Sequence, residues 1–136
     1  MATEILVNDG GAPARILPFT AASGTNLSGG RFVTMDDQAE INHADTAASG
    51  QLGVLLTDCG SGQNASVITG KGVVLNVPVS GTVSGGTLCV ISSGAVGAGY
   101  LISGTAGHHY SGATAAVYID STANAAGPNL RKVLTF

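Results

Sequence analysis

An all-β fold, a small β-barrel or β-sandwich with an extended N-terminal arm, is what this sequence predicts. Three observations carry the prediction. Short apolar runs recur at close spacing through 136 residues, and Gly, Ser, Asn or Asp stands at nearly every junction between them. Charged residues, which line solvated helices, make up only 10% of the chain against 44% hydrophobic. That apolar content suffices to bury a core, so the 21 glycines read as turns rather than disorder.

Residues 1–22 differ from the rest. Ile5-Leu6-Val7 and Ile16-Leu17-Pro18-Phe19 are separated by the breaker-rich NDGGAPA, and Pro13 and Pro18 exclude a continuous helix. Each piece is too short for a hairpin that is stable alone. The segment reads as an extended arm whose apolar side chains need a covering surface. That surface is either the body of the same protein or, the preferred reading, a neighbouring subunit whose sheet edge accepts an added strand. The chain then divides into an arm, 1–22, and a single β-rich domain, 23–136.

Strands are predicted at Arg31–Met35, Gln51–Thr57, Ala65–Thr69, Val73–Val77, Thr87–Ile91, Thr114–Ile119 and Leu130–Thr135. Val73, Leu75 and Val77 alternate toward one face, whereas GVLLT and CVI run continuously apolar and suit strands buried on both faces of one closed core. Only Met35 to Ser49, MDDQAEINHADTAAS, has helical potential; it is polar, and reads equally as a loop with a short strand around Glu40 to Asn42. GSG at 60–62 and GKG at 70–72 read as hairpin turns, since no phosphate-loop GxxxxGK[ST] is present. SGGRFVTM at 28–35 and SGGTLCVI at 84–91 each set Ser-Gly-Gly before a strand; two copies of a turn signal fall short of a repeat and read as shared turn chemistry.

Charge and chemistry exclude several classes. The five basic residues are scattered and the net charge is −3, so a run of phosphates has no counterpart and no nucleic-acid partner is expected. No apolar run reaches the about 18 residues of a membrane span. The start, MATEILVNDGG, has no basic stretch before an apolar one, so a secretory leader is not expected and synthesis in a cytoplasm is. Cys59 and Cys89 lie outside any CxxC and read as free thiols; a disulfide would need neighbouring strands.

His108-His109-Tyr110 sits between glycines, as on a loop tip, and adjacent histidines of a strand point to opposite faces, so no metal site is expected. Asp58-Cys59-Gly60 lacks a nucleophile-elbow context, and Asp36, Asp37 and Glu40 share a polar segment that suits solvent. No carboxylate occurs between Asp58 and Asp120, and three Phe, three Tyr and no Trp leave little for sugar stacking. Neither catalysis nor a cofactor is expected. Residues 72–119 carry no charged side chain, and such a surface favours self-association or packing on a partner.

The run SGQLGVLLTDCGSGQNASVITGKGVVLNVPVSGTVSGGTLCVISSGAVG, 49–97, resembles the small phage capsid cement, or head decoration, proteins. The matching signals are Gly50, Gly53-Val54, Asp58, Gly62, Gly72-Val73, Pro78 and Gly85-Gly86-Thr87. The resemblance covers about a third of the chain. It implies a β-tulip-like homotrimer on the outside of an icosahedral head, at local three-fold positions, tying neighbouring capsomers of the major capsid protein together. In such proteins an N-terminal extension adds a strand to the shell, which makes Ile5, Leu6, Val7, Arg15, Ile16, Leu17 and Phe19 the expected capsid-binding residues. Segment 36–49 and the tail after Gly104 look longer than in the short members of that group. The competing expectation is a receptor- or glycan-binding domain of a phage fibre or surface adhesin, presenting the HHY loop.

Overall fold

The computed structural model describes residues 6–8, 14–45, 51–92, 98–105 and 114–135, and of 6–8 the backbone alone. Among them every regular element is a strand. In chain order these are β1 Leu6–Asn8, β2 Arg15–Thr20, β3 Phe32–Met35, β4 Ile41–His43, β5 Gln51–Leu55 and β6 Asn64–Thr69. There follow β7 Val74–Val79, β8 Leu88–Ile91, β9 Leu101–Ser103, β10 Thr114–Tyr118 and β11 Asn129–Thr135. The all-β prediction holds, with seven predicted strands recovered close to their expected ends. The segment after Met35 contains β4, so of its two readings the loop with a short strand near Glu40 to Asn42 is the one found and the helix is not; β9 is a strand that the sequence pattern does not indicate.

The strands form two sheets, β2-β6-β5-β3-β4 and β1-β7-β11-β10-β8-β9. The second closes on itself, because Val79 at the end of β7 pairs in parallel with Leu101 of β9. In the first, an isolated parallel bridge from Ala21 to Ile41 makes the same closure. Apart from β1, the two orders are identical when β2 to β6 are laid on β7 to β11. The hydrogen bonds repeat as well. Gly30 N–H donates to Leu55 O at 2.7 Å, and Gly86 N–H to Tyr118 O at 2.8 Å. Ala44 N–H donates to Phe32 O at 3.0 Å, and Gly104 N–H to Leu88 O at 3.0 Å. Leu27 bridges Cys59 as Val83 bridges Asn124. Even the irregularity is copied: the register slips between Gln51 and Gly53 on β5 and between Thr114 and Ala116 on β10, leaving Leu52 and Ala115 as the extra residues.

The Ser-Gly-Gly echo is therefore the visible trace of a duplicated unit, a correction to its reading as turn chemistry alone. In both copies the second glycine, Gly30 or Gly86, has positive φ, 84° and 83°, which is why glycine recurs at that point. GSG at 60–62 does lie in the β5–β6 hairpin. GKG at 70–72 does not form a hairpin: it carries the chain from β6 in the first sheet to β7 in the second. Thr135 fastens this crossover, its hydroxyl accepting from Val73 N–H at 2.9 Å and donating to Gly70 O at 3.1 Å.

Two apolar cores result where the sequence suggested one. Leu27, Val33, Ile41, Leu55, Ala65 and Val67 fill the first unit. Their chain neighbours Phe32, Val54 and Ile68 point to the opposite face of the same strands and join the second core, with Val73, Leu75, Leu101, Tyr118 and Val133. Strands β3, β5 and β6 are thus buried on both faces, as continuous apolar runs require. The first unit lays its outer face against one end of the second. A cavity of about 270 Å³ remains at that seam, lined by Phe32, Val54, Ile68, Val73, Leu75 and Ala115 among others.

Candidate functional site

The predicted arm residues fall on two strands that join the two sheets separately. Ile5 lies outside the described residues; Leu6 and Val7 are in β1, where Leu6 pairs with Leu75 and Asn8 with Val74. Arg15 to Thr20 pair along their whole length with β6 of the same chain, from Arg15↔Thr69 to Thr20↔Asn64. Ile16 is 51% and Leu17 40% exposed, Arg15 is exposed, and Phe19 packs half-buried on the first core. Ala21 N–H donates to Gln63 O, so by alternation Leu17 and Phe19 also direct their N–H groups at β6. Pro18 then places its missing donor on the strand's outer edge, where a proline costs no ladder bond.

A second surface feature lies at the seam between the units. It is an open recess of about 410 Å³, walled by Arg31 and Asp58 of the first unit and Pro78, Tyr100, Asn129 and Leu130 of the second. The Arg31 guanidinium stands 4.5 Å from the Tyr100 ring centroid and Nη2 donates to Tyr100 Oη at 2.9 Å. Asp58 Oδ1 accepts from Gly29 N–H at 2.7 Å. Beneath, Gly99 holds a positive φ of 81° and exchanges backbone bonds with the first unit, accepting from Phe32 N–H at 3.0 Å and donating to Ala44 O. A side chain at Gly99 would meet Phe32 O at 2.7 Å. Sequence reading missed this recess because its walls come from five separated segments.

The titratable groups are held by structure. His43 Nε2 accepts from Ser28 N–H at 3.0 Å, and burial, aided by the Arg31 charge, lowers its pKa below 6.5. Burial pushes the Cys89 thiol up to about 11. Cys59 is also raised, by burial and then by the Asp58 charge. Both cysteines are free, and as thiols they are poor nucleophiles at neutral pH. Among the described residues no group of three or more His, Cys, Asp and Glu is placed to hold a metal ion. His108, His109 and Tyr110 lie outside the described residues.

What the fold and these surfaces define, among the described residues, is an all-β module built from two copies of a five-stranded ring-like unit, with an exposed apolar strand edge and a polar-aromatic recess. No known protein family matches the chain, and no curated protein does. Among solved structures, the head fiber gp8.5 N base of bacteriophage phi29 has a similar fold. The TM-score is 0.64 at 14% sequence identity, over 90% of this chain and 95% of that one.

Proposed function

We propose that this chain is a structural protein of a phage head: a cement or decoration protein that binds the outer surface of an icosahedral shell and stabilises it. In this reading it is a homotrimer at local three-fold positions, and its partner is the major capsid protein of the same phage. It is made in the host cytoplasm and carried on the virion, needs no cofactor, catalyses no reaction and contacts neither nucleic acid nor membrane. Ile5, Leu6, Val7, Arg15, Ile16, Leu17 and Phe19 make the shell contact. The observation that carries the reading is the near-complete mutual coverage with a phage head fiber base. The exposed Ile16 and Leu17 support it, as apolar groups on a strand edge that a shell segment would cover.

The test is co-sedimentation with expanded, undecorated heads. Removing residues 1–22 would strip β2 from its sheet, so the informative variants are Ile16→Ser, Leu17→Ser and Arg15→Glu. Saturable binding by the parent chain that weakens at least about tenfold in the double apolar variant is expected, since losing two exposed apolar anchors that binding would bury removes more than about 1.4 kcal/mol. Absence of binding by the parent chain would overturn the reading. The recess holding Arg31, Asp58 and Tyr100 favours a second reading, a receptor- or glycan-binding head fibre module. Binding to host cells without binding to heads would select it.

A further inference from the structure

The duplication exposes an asymmetry. In the second unit one end of the ring is sealed: Val73, Leu75, Ile91 and Ala115 are each 1% exposed beneath the first unit's outer face. The equivalent positions of the first unit are Arg15, Leu17, Met35 and Leu52. There Leu17 is 40% and Met35 43% exposed, Arg15 is exposed and Leu52 half-buried, so this end has no cover among the described residues.

The other half of the contact is also left over. The first unit covers its neighbour with Phe32, Val54 and Ile68, which are 2%, 0% and 2% exposed. Their equivalents on the second unit are Leu88, Val117 and Leu134, apolar residues on the same face of the same strands, each only half-buried. One chain thus ends in an open socket on one unit and an unused plug on the other. The charges match as well. The β3–β4 loop that follows Met35 carries Asp36 and the exposed Asp37, while Lys132, exposed, shares the strand face of Leu134.

We propose that two copies of this chain associate head to tail, the Leu88–Val117–Leu134 face of one seated on the Leu17–Met35–Leu52 end of the next, continuing the seam that already joins the two units within the chain. Such a contact is heterologous, so it propagates until a ring closes or a filament grows. It goes beyond the capsid reading and is tested without heads.

The experiment is sedimentation velocity on the full chain and two variants, with circular dichroism to confirm folding. Leu17→Asp with Met35→Asp blocks the socket at exposed positions. Val117→Ser with Leu134→Ser blocks the plug, and Lys132→Glu, at an exposed side chain, serves should that pair impair folding. The parent chain is expected to sediment as a multimer and each variant as a monomer. A mixture of socket-blocked and plug-blocked chains should then give a one-to-one dimer, because each supplies the surface the other lacks. A monomeric parent, a variant that keeps the parent's size, or a mixture that stays monomeric would overturn the proposal.

Discussion

Asn124 occupies the position that Cys59 holds in the first unit, and the exchange of thiol for amide makes it a buried hub. Its Nδ2 donates to Val79 O at 3.1 Å and Gly81 O at 2.7 Å, and also to Ala126 O, while Oδ1 accepts from Asn129 Nδ2 at 2.9 Å. Asn124→Ala leaves these groups without their partner and should cost about 2–4 kcal/mol in urea unfolding, whereas Cys59→Ala should cost under about 1. Ala39 carries a positive φ of 60°, in a turn pinned by Asp36 Oδ1 accepting from Gln38 and Glu40 N–H. Ala39→Gly relieves that conformation and should raise stability by about 0.5–1 kcal/mol. Acid should act in two stages. His43 is lowered below 6.5, so its contribution is present above that pH and is lost as pH falls through its folded value. Asp120 is lowered below 3.8, first by the Thr122 N–H, and its contribution is lost in the same sense at lower pH. Melting temperature followed from pH 8 downward should fall in these two steps, the first absent in His43→Gln.

Strand boundaries were the most legible part of the sequence, because alternation and turn residues are local properties. β9 escaped notice because three residues between Gly99-Tyr100 and Gly104 carry too little pattern. β2 read as part of an arm because Pro13 and Pro18 exclude a helix and each apolar piece is too short for a hairpin stable alone; in the structure it is an edge strand, where Pro18 is tolerated. Ile16 and Leu17 were legible as apolar residues in need of a covering surface, but their exposure was not; nor was the Arg31–Tyr100 recess, since no local pattern reports which distant segments meet. Gly53 shows how a strand's chemistry can be set across a sheet. A Cβ there would overlap the Ile68 carbonyl oxygen, whereas the equivalent residue in the second unit, Ala116, carries its methyl. Gly53→Ala should therefore destabilise by about 1–3 kcal/mol and Ala116→Gly by about 1, measured by denaturant midpoint.

At the scale of the whole molecule, the duplication hides in the sequence because loops of unequal length shift the equivalent residues and their side chains have diverged; Ser-Gly-Thr at 23–25 and 80–82 and Ser-Gly-Gly at 28–30 and 84–86, each with a glycine of positive φ, survive as text. The shared seam should make the two units unfold together. Phe32→Ala, at the seam, should cost about 3–5 kcal/mol and split the single calorimetric transition into two, while Leu27→Ala inside the first unit should lower stability without separating them.

Carrying both copies on one polypeptide has a consequence for how such a protein can change. In a pair of identical subunits every substitution lands twice, so a residue suited to one environment is imposed on the other. Here the position that is Phe32 under cover is Leu88 nearer solvent, and the one that is Cys59 in one unit is Asn124 in the other. Each copy is free to acquire an end, a face or a recess of its own while the other keeps the fold.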